Sequence, residues 1–258
     1  MSLKESLEKI NNIFGISISF AKANFKLRNE GSYLGILWYL LEPILFLVIL
    51  LTIRGVTSQG NIKYYPVYLF LGLIMYNFFM SVTSASTTAI QSKGKFVKNM
   101  TLQRESLVLS TPIQFIFSHI AELIVLTILM IYYHVGIVNL IYYPFIFLFL
   151  LIFTTGASFM LATLGVFIND IKNIWPVFMK ILWFATPIFY AVNNKGLIGS
   201  LNYLNPLTHF MNIAREVIIY NQLPNLRGCI LVVSVSIIFL FLGIKIFNKY
   251  KVRFAEEV

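Results

Sequence analysis

Three ionisable side chains interrupt otherwise apolar stretches of the chain, and any chemistry inside those stretches must pass through them. Glu42 is the one charge in residues 35–53, Glu122 the one charge from Ser106 to Asn169, and Lys180 the one charge in residues 174–191. A charge at bilayer depth costs about 2.5–3.5 kcal/mol on insertion scales, so each of these groups needs a partner or a task. Glu42 lies one turn from Trp38 and Tyr39 and directly before Pro43, where a loosened backbone can accept extra hydrogen bonds. His119 and Glu122, three apart, share a helix face and can pair with each other or with Lys180. Two roles fit this trio: structural pairing, and a path for a proton or a substrate.

Other chemistries lack their parts. Asp170 is the only aspartate, so the paired-aspartate Mg²⁺ sites of many prenyl- and glycosyl-transferring enzymes cannot be assembled. No Gly-x-x-x-x-Gly-Lys-Ser/Thr phosphate loop occurs, and Lys93-Gly94-Lys95-Phe96 does not fit one. Cys229 is the only cysteine, which excludes an intrachain disulfide and argues against a thiolate metal site. The chain is expected to hold no metal and no cofactor and to have no ATPase site of its own. If it pumps, an ion gradient or a separate ATPase must drive it.

The elements that position these residues are membrane spans. Of 258 residues, 58% are hydrophobic and 12% charged, and the mean hydropathy is +0.80, far from a water-soluble domain. Residues 1–30 lack the uninterrupted apolar core of a cleavable signal. Windows long enough for about 30 Å of hydrocarbon fall at about 35–53, 66–85, 108–132, 144–167, 174–191 and 228–244, with a turn-prone stretch from Gly136 to Tyr143 between the third and fourth. The fold class is therefore an all-α polytopic membrane protein of six spans in a single transmembrane domain. The termini and even-numbered loops hold 14 of the 20 Lys and Arg residues and the other loops five, which places both termini in the cytoplasm. The net charge of +10 is spread beside the spans and does not form one patch, so membrane orientation explains it better than nucleic acid.

Three segments outside the spans have their own physics. In residues 1–30, Leu3, Leu7, Ile10, Phe14, Ile18, Ala21 and Phe25 recur at helical spacing with Lys4, Glu5, Glu8, Lys9, Lys22 and Lys26 on other faces, as in a helix lying in the cytoplasmic membrane interface or one docked on a partner protein. The loop 93–105 sets Lys93, Lys95, Lys98 and Arg104 around Phe96, Val97, Met100 and Leu102, a basic loop with exposed apolar residues suited to docking. In the external segment 192–227, Asn205-Pro206 predicts a helix cap, and Leu207, Phe210, Met211, Ala214, Val217 and Ile218 an apolar stripe, read as an amphipathic helix at the outer leaflet or a passive cover on the spans. Small residues every four positions, Ser81, Ala85 and Ala89 and then Ser158 and Ala162, predict close helix approach.

Four stretches belong together: Lys26, Arg28, Ser32, Leu34-Gly35, Trp38 and Pro43; the run Gly72 to Phe79; Val166 to Ile171; and Thr186 to Tyr190 with Asn205-Pro206-Leu207 and Arg215. In their order and spacing they resemble the membrane subunits of type-2 ABC exporters for O-antigen, capsule and teichoic-acid polymers, with Asn169 in place of the usual arginine. The resemblance implies a bacterial inner-membrane permease, acting as a homodimer with two copies of a separate nucleotide-binding ATPase subunit that uses ATP and Mg. Its cargo would be a polyprenyl-diphosphate-linked polysaccharide. It further implies that 93–105 couples to the ATPase through Lys93, Lys95, Phe96, Lys98, Met100 and Arg104, and that Lys26 and Arg28 receive the diphosphate at the entrance. Trp38, Tyr39, Glu42, Trp183, Phe184, Phe189 and Tyr190 would line the channel formed by the first and fifth spans. The competing readings are an ABC exporter of a small molecule or drug and an ion-coupled secondary transporter using Glu42, Glu122 and Lys180.

Overall fold

The computed structural model describes residues 3–30, 33–57, 62–94, 103–191 and 196–257, and among these the regular structure is entirely helical. In chain order the helices are α1 Leu3–Asn29, α2 Trp38–Thr57, α3 Tyr65–Ser86, α4 Arg104–Tyr132, α5 Tyr143–Phe167, α6 Ile171–Ala185, α7 Gly196–Leu204, α8 Pro206–Ala214, α9 Leu226–Tyr250 and α10 Phe254–Glu257. Among the described residues four helical stretches are long and apolar enough to cross a bilayer: α3, α4, the stretch Ile137–Phe167 containing α5, and the stretch Leu226–Glu257 containing α9. The first and fifth predicted windows fall on shorter helices. The apolar part of α2 is Leu40–Ile53, and α6 has 15 residues, about 22 Å at the α-helical rise. α6 stops at Ala185 because Pro187 forces the preceding Thr186 into extended backbone, φ −100 and ψ 134.

α3 is the hub. It is apolar on every side, so it can satisfy its surface only by being enclosed, and it packs on α2, α4, α5, α6 and α8 with Val67 to Met75 fully buried. The buried hydroxyls of the bundle fold back onto the preceding turn: Thr83 on Phe79, Ser86 on Val82, Thr154 on Leu150 and Ser158 on Thr154, each within 2.8 Å. That keeps polar side chains satisfied without water.

α5 and α9 form the most extensive helix pair. They touch backbone to backbone where Gly156 faces Phe239 and Leu240 and Gly243 faces Gly156. A second close approach sets Gly165 of α5 on the backbone of Thr87, just beyond α3. Ser158 and Ala162 are buried as their spacing implies, but it is glycines that make the tightest crossings.

α1 packs along α4. Its buried face is Ser17 and Ala21, and Phe25 meets Phe117 with ring centroids 5.5 Å apart. Ile10, Phe14 and Ile18 of the predicted stripe remain exposed. The helix thus has a protein-facing side as well as an apolar side left for lipid.

At the other end of the bundle the chain folds back over itself. Asn205 caps α8 by accepting from Leu207 N at 3.0 Å, with Pro206 at the first helical position, and its amide donates to Thr186 Oγ1 at 2.8 Å. A π-helical turn, Arg215–Ile219, continues α8. Leu207, Phe210, Met211, Ala214 and Ile218 are buried in the main core, so the apolar stripe faces protein and not the outer leaflet. This segment is a packed cap on the spans.

Candidate functional site

α2, α3 and α6 enclose a groove of about 390 Å³ lined by Glu42, Phe46, Leu73, Asn77, Met80, Lys180, Trp183 and Phe184. Its position follows from the sequence. α3 supplies a closed floor, and α2 and α6 lean on it while leaving their outer faces open: Leu45, Phe46, Ile49 and Ile53 on one, Ile174, Val177, Phe178, Ile181 and Phe184 on the other. α6 is fixed to α3 by two bonds. The Tyr76 hydroxyl donates to the Met179 carbonyl, and Trp175 Nε1 donates to Thr83 Oγ1 at 3.0 Å.

Glu42 also lines a second, smaller cavity of about 40 Å³ with Arg28, Asn77, Ser81, Ser118, His119 and Glu122, room for a water or two among polar walls. There His119 bridges Glu122 and Tyr143, with Nδ1 2.9 Å from Glu122 Oε2 and Nε2 2.7 Å from the Tyr143 hydroxyl. The pairing open to His119 and Glu122 in the sequence is therefore made between them, and Lys180 stands apart in the groove. Among the described residues neither Glu42 nor Lys180 forms an ion pair. Arg28 lies 5.0 Å from the centre of the Phe115 ring, at the mouth of the smaller cavity, and Lys26 is exposed in the same last turn of α1. Polar groups thus run from Arg28 through Glu42 and Asn77 to Lys180.

Beyond Lys180 the groove wall is Trp183 and Phe184, and a chain of ring contacts continues from them past the groove lining. Trp183 meets Phe184 at 4.9 Å between centroids and Phe189 at 5.2 Å, and Phe189 meets Tyr190 at 5.1 Å. The structure therefore joins four of the predicted aromatics into one ladder. Trp38 is half-exposed at the start of α2 and does not line the groove; Tyr39 is the next residue of that helix.

The irregular segment after α6 is held by Tyr65 and Tyr68, which the sequence reading did not single out, and by Arg215, which it named only for the family resemblance. Tyr65 Oη donates to the Phe189 carbonyl and Tyr68 Oη to the Tyr190 carbonyl, both at 2.9 Å. Arg215 donates to Pro187 O at 2.7 Å, Ile188 O at 3.0 Å and Tyr68 O at 3.3 Å, with its guanidinium 3.5 Å from the Tyr68 ring centre. A signal was present: tyrosines and an arginine inside apolar stretches require buried acceptors.

An ABC-2 type transporter family model matches residues 18–219. The chain belongs to that family. Over 248 residues it is 24% identical to an O-antigen export system permease protein of Myxococcus xanthus, RfbA, covering 95% of each chain. It is 26% identical over 254 residues to an RfbA of Klebsiella pneumoniae, again 95% of each. A polysialic acid transport protein of Escherichia coli, KpsM, is 23% identical over 220 residues, 83% of this chain and 85% of that one.

In this ABC-2 transporter the loop expected to couple to an ATPase is visible at its two roots. Lys95, Phe96, Lys98 and Met100 lie outside the described residues. Lys93 on one root sits 4.6 Å from the Phe20 ring of α1, and burial pushes its ammonium down to about 8. Arg104 on the other root donates to the Lys251 carbonyl. Asn169, where relatives of this type are expected to carry arginine, accepts from Gln91 Nε2 at 2.7 Å, so a neutral bond ties that turn to the segment after α3.

Proposed function

We propose that the chain is the membrane-spanning permease subunit of an ABC exporter for a polyprenyl-diphosphate-linked polysaccharide of the O-antigen, capsule or teichoic-acid type. The observation that carries this reading is the groove between α2 and α6, in which charged and amide groups give way to Trp183 and Phe184, with Phe189 and Tyr190 extending the aromatic ladder beyond its lining. Flat aromatic faces let sugar rings pass without a deep trap. The polymers named for the RfbA and KpsM relatives support the same cargo class.

On this reading α2 and α6 complete six spans of a bacterial inner-membrane protein with both termini in the cytoplasm. The open faces of these two helices meet their copies in a homodimer, and two ATPase subunits supply ATP and Mg. Lys26 and Arg28 receive the lipid diphosphate where the polar run begins, since clustered cations suit phosphate oxygens.

The test is ATPase activity in lipid of the chain alone, and of the chain with a candidate nucleotide-binding subunit, with and without polyprenyl-linked glycan. Hydrolysis that appears only in the complex and responds to the glycan is the expected result. Failure to copurify with suitable ATPase subunits, together with transport that follows a proton gradient, would transfer the function to Glu42 and Lys180 as an ion path. Within a working complex, Trp183→Leu is expected to slow export about five- to tenfold, equivalent to one lost aromatic contact of about 1 kcal/mol, with little change in folded yield. Equal losses of export and yield would reduce Trp183 to a packing residue.

A further inference from the structure

At the basic end of the bundle, two segments 146 residues apart are fastened by reciprocal bonds. Lys251 Nζ donates to Glu105 Oε1 at 2.6 Å, and Arg104 donates back to the Lys251 carbonyl. Both ionic side chains are mostly covered, at 31% and 20% exposure. Beside them the fully buried Phe254 packs on Phe247, with ring centroids 5.3 Å apart, in a separate small core with Ile90, Leu107, Val108, Phe159, Ala162 and Val166. That core draws on the segment before the basic loop, the start of α4, the end of α5 and the end of α9. It is distinct from the main core built around α3.

Such an arrangement exceeds what closing the end of a bundle needs. A surface ion pair contributes about 0–1 kcal/mol to stability, and the apolar contacts of Phe254 already hold the C-terminal segment down. What the pair adds is direction. Arg104 and Glu105 are the first two residues of α4, at the root of the loop 93–105, whereas Lys251 directly follows α9. α9 is in turn locked to α5 through Gly156 and Gly243.

Resting on the permease reading above, we propose that Glu105 and Lys251 are positioning residues that clasp the coupling loop to α9. A push delivered by the ATPase at the loop then moves the α5–α9 pair as one body along with α4. Without the clasp the loop root turns alone, and hydrolysis is spent without moving the spans.

The experiment measures glycan exported per ATP hydrolysed in the permease–ATPase complex reconstituted in lipid. E105K places two ammonium groups face to face and is expected to lower that ratio by about tenfold, within the usual range of coupling energies, while the complex still assembles and hydrolyses ATP. The exchanged pair E105K/K251E is expected to restore it. An unchanged ratio in E105K overturns the clasp, and so does a fall that the exchange fails to repair. Should E105K prevent assembly, E105Q keeps the shape without the charge: a lowered ratio there supports the clasp and an unchanged ratio overturns it. The wild-type complex serves as the separating control: absence of ATP-driven export there defeats the permease reading itself, whereas loss confined to the variants bears on the clasp.

Discussion

An Arg215→Ala chain is expected to lose most of its folded yield and to unfold at a clearly lower temperature in detergent, by an amount equivalent to about 3–5 kcal/mol. The size follows from what the guanidinium does. α6 ends at Ala185, so the carbonyls of Pro187 and Ile188 have no helical partner, and Arg215 reaches across from the π-helical turn to donate to both. It also donates to Tyr68 O and sits over the Tyr68 ring, 3.5 Å from its centre. Each buried carbonyl left bare costs about 1–3 kcal/mol, and the lost cation–π contact adds up to about 2. Arg215→Lys is the sharper comparison. A lysine keeps the charge but cannot spread donors over three carbonyls in one plane, so it should recover only part of the loss. Gly72→Ala should move in the same direction by another route, because a methyl there meets the guanidinium at 2.5 Å. Melting points of the Ala and Lys variants indistinguishable from the wild type would mean that the segment after α6 is held by Tyr65 and Tyr68 alone.

Arg215 also marks the limit of what the residues disclosed. Its type, its place near Asn205-Pro206 and the proline after α6 were all legible, but the partners that give it a role come from Pro187, Ile188 and Tyr68, distant in sequence. The long spans were read directly, since a charge-free run of that length has few other uses, and so was the turn before α5, where the structure has a 3₁₀ helix over Ile137–Tyr142. The apolar stripe from Leu207 to Ile218 was legible as a stripe, but its facing was not. Lipid tails and a protein core are equally apolar, so periodicity cannot tell which of them a face meets. The same ambiguity hid the protein-facing side of α1, where Ser17 and Ala21 pack and the larger Phe14 and Ile18 do not. In the groove, the resemblance grouped Glu42, Trp183 and Phe184 with Trp38 as channel lining, while Lys180 was singled out only for its charge. The fold adds Lys180 to that group and leaves Trp38 outside.

The glycines allow one substitution to be used with opposite expected signs. Gly156→Ala and Gly243→Ala should each destabilise the chain by up to about 3 kcal/mol, the upper end for overpacking. The added methyl would strike backbone: Phe239 and Leu240 in the first case, Gly156 in the second. Backbone cannot rotate aside as a side chain can, so α5 and α9 must separate. Lipid then offers no hydrophobic gain for bringing them back, because association in a bilayer rests on close packing. Gly15→Ala in α1 is the matched control. Nothing lies within 4 Å of a methyl there, and alanine in a helix interior gains about 0.5–1 kcal/mol over glycine. Graded denaturation of the three variants in mixed micelles would therefore separate Gly15→Ala from the other two by several kcal/mol. If all three shifted together, α5 and α9 would not be meeting through these glycines. The rigid pair on which the clasp at Lys251 depends would then have to be held by its outer side chains.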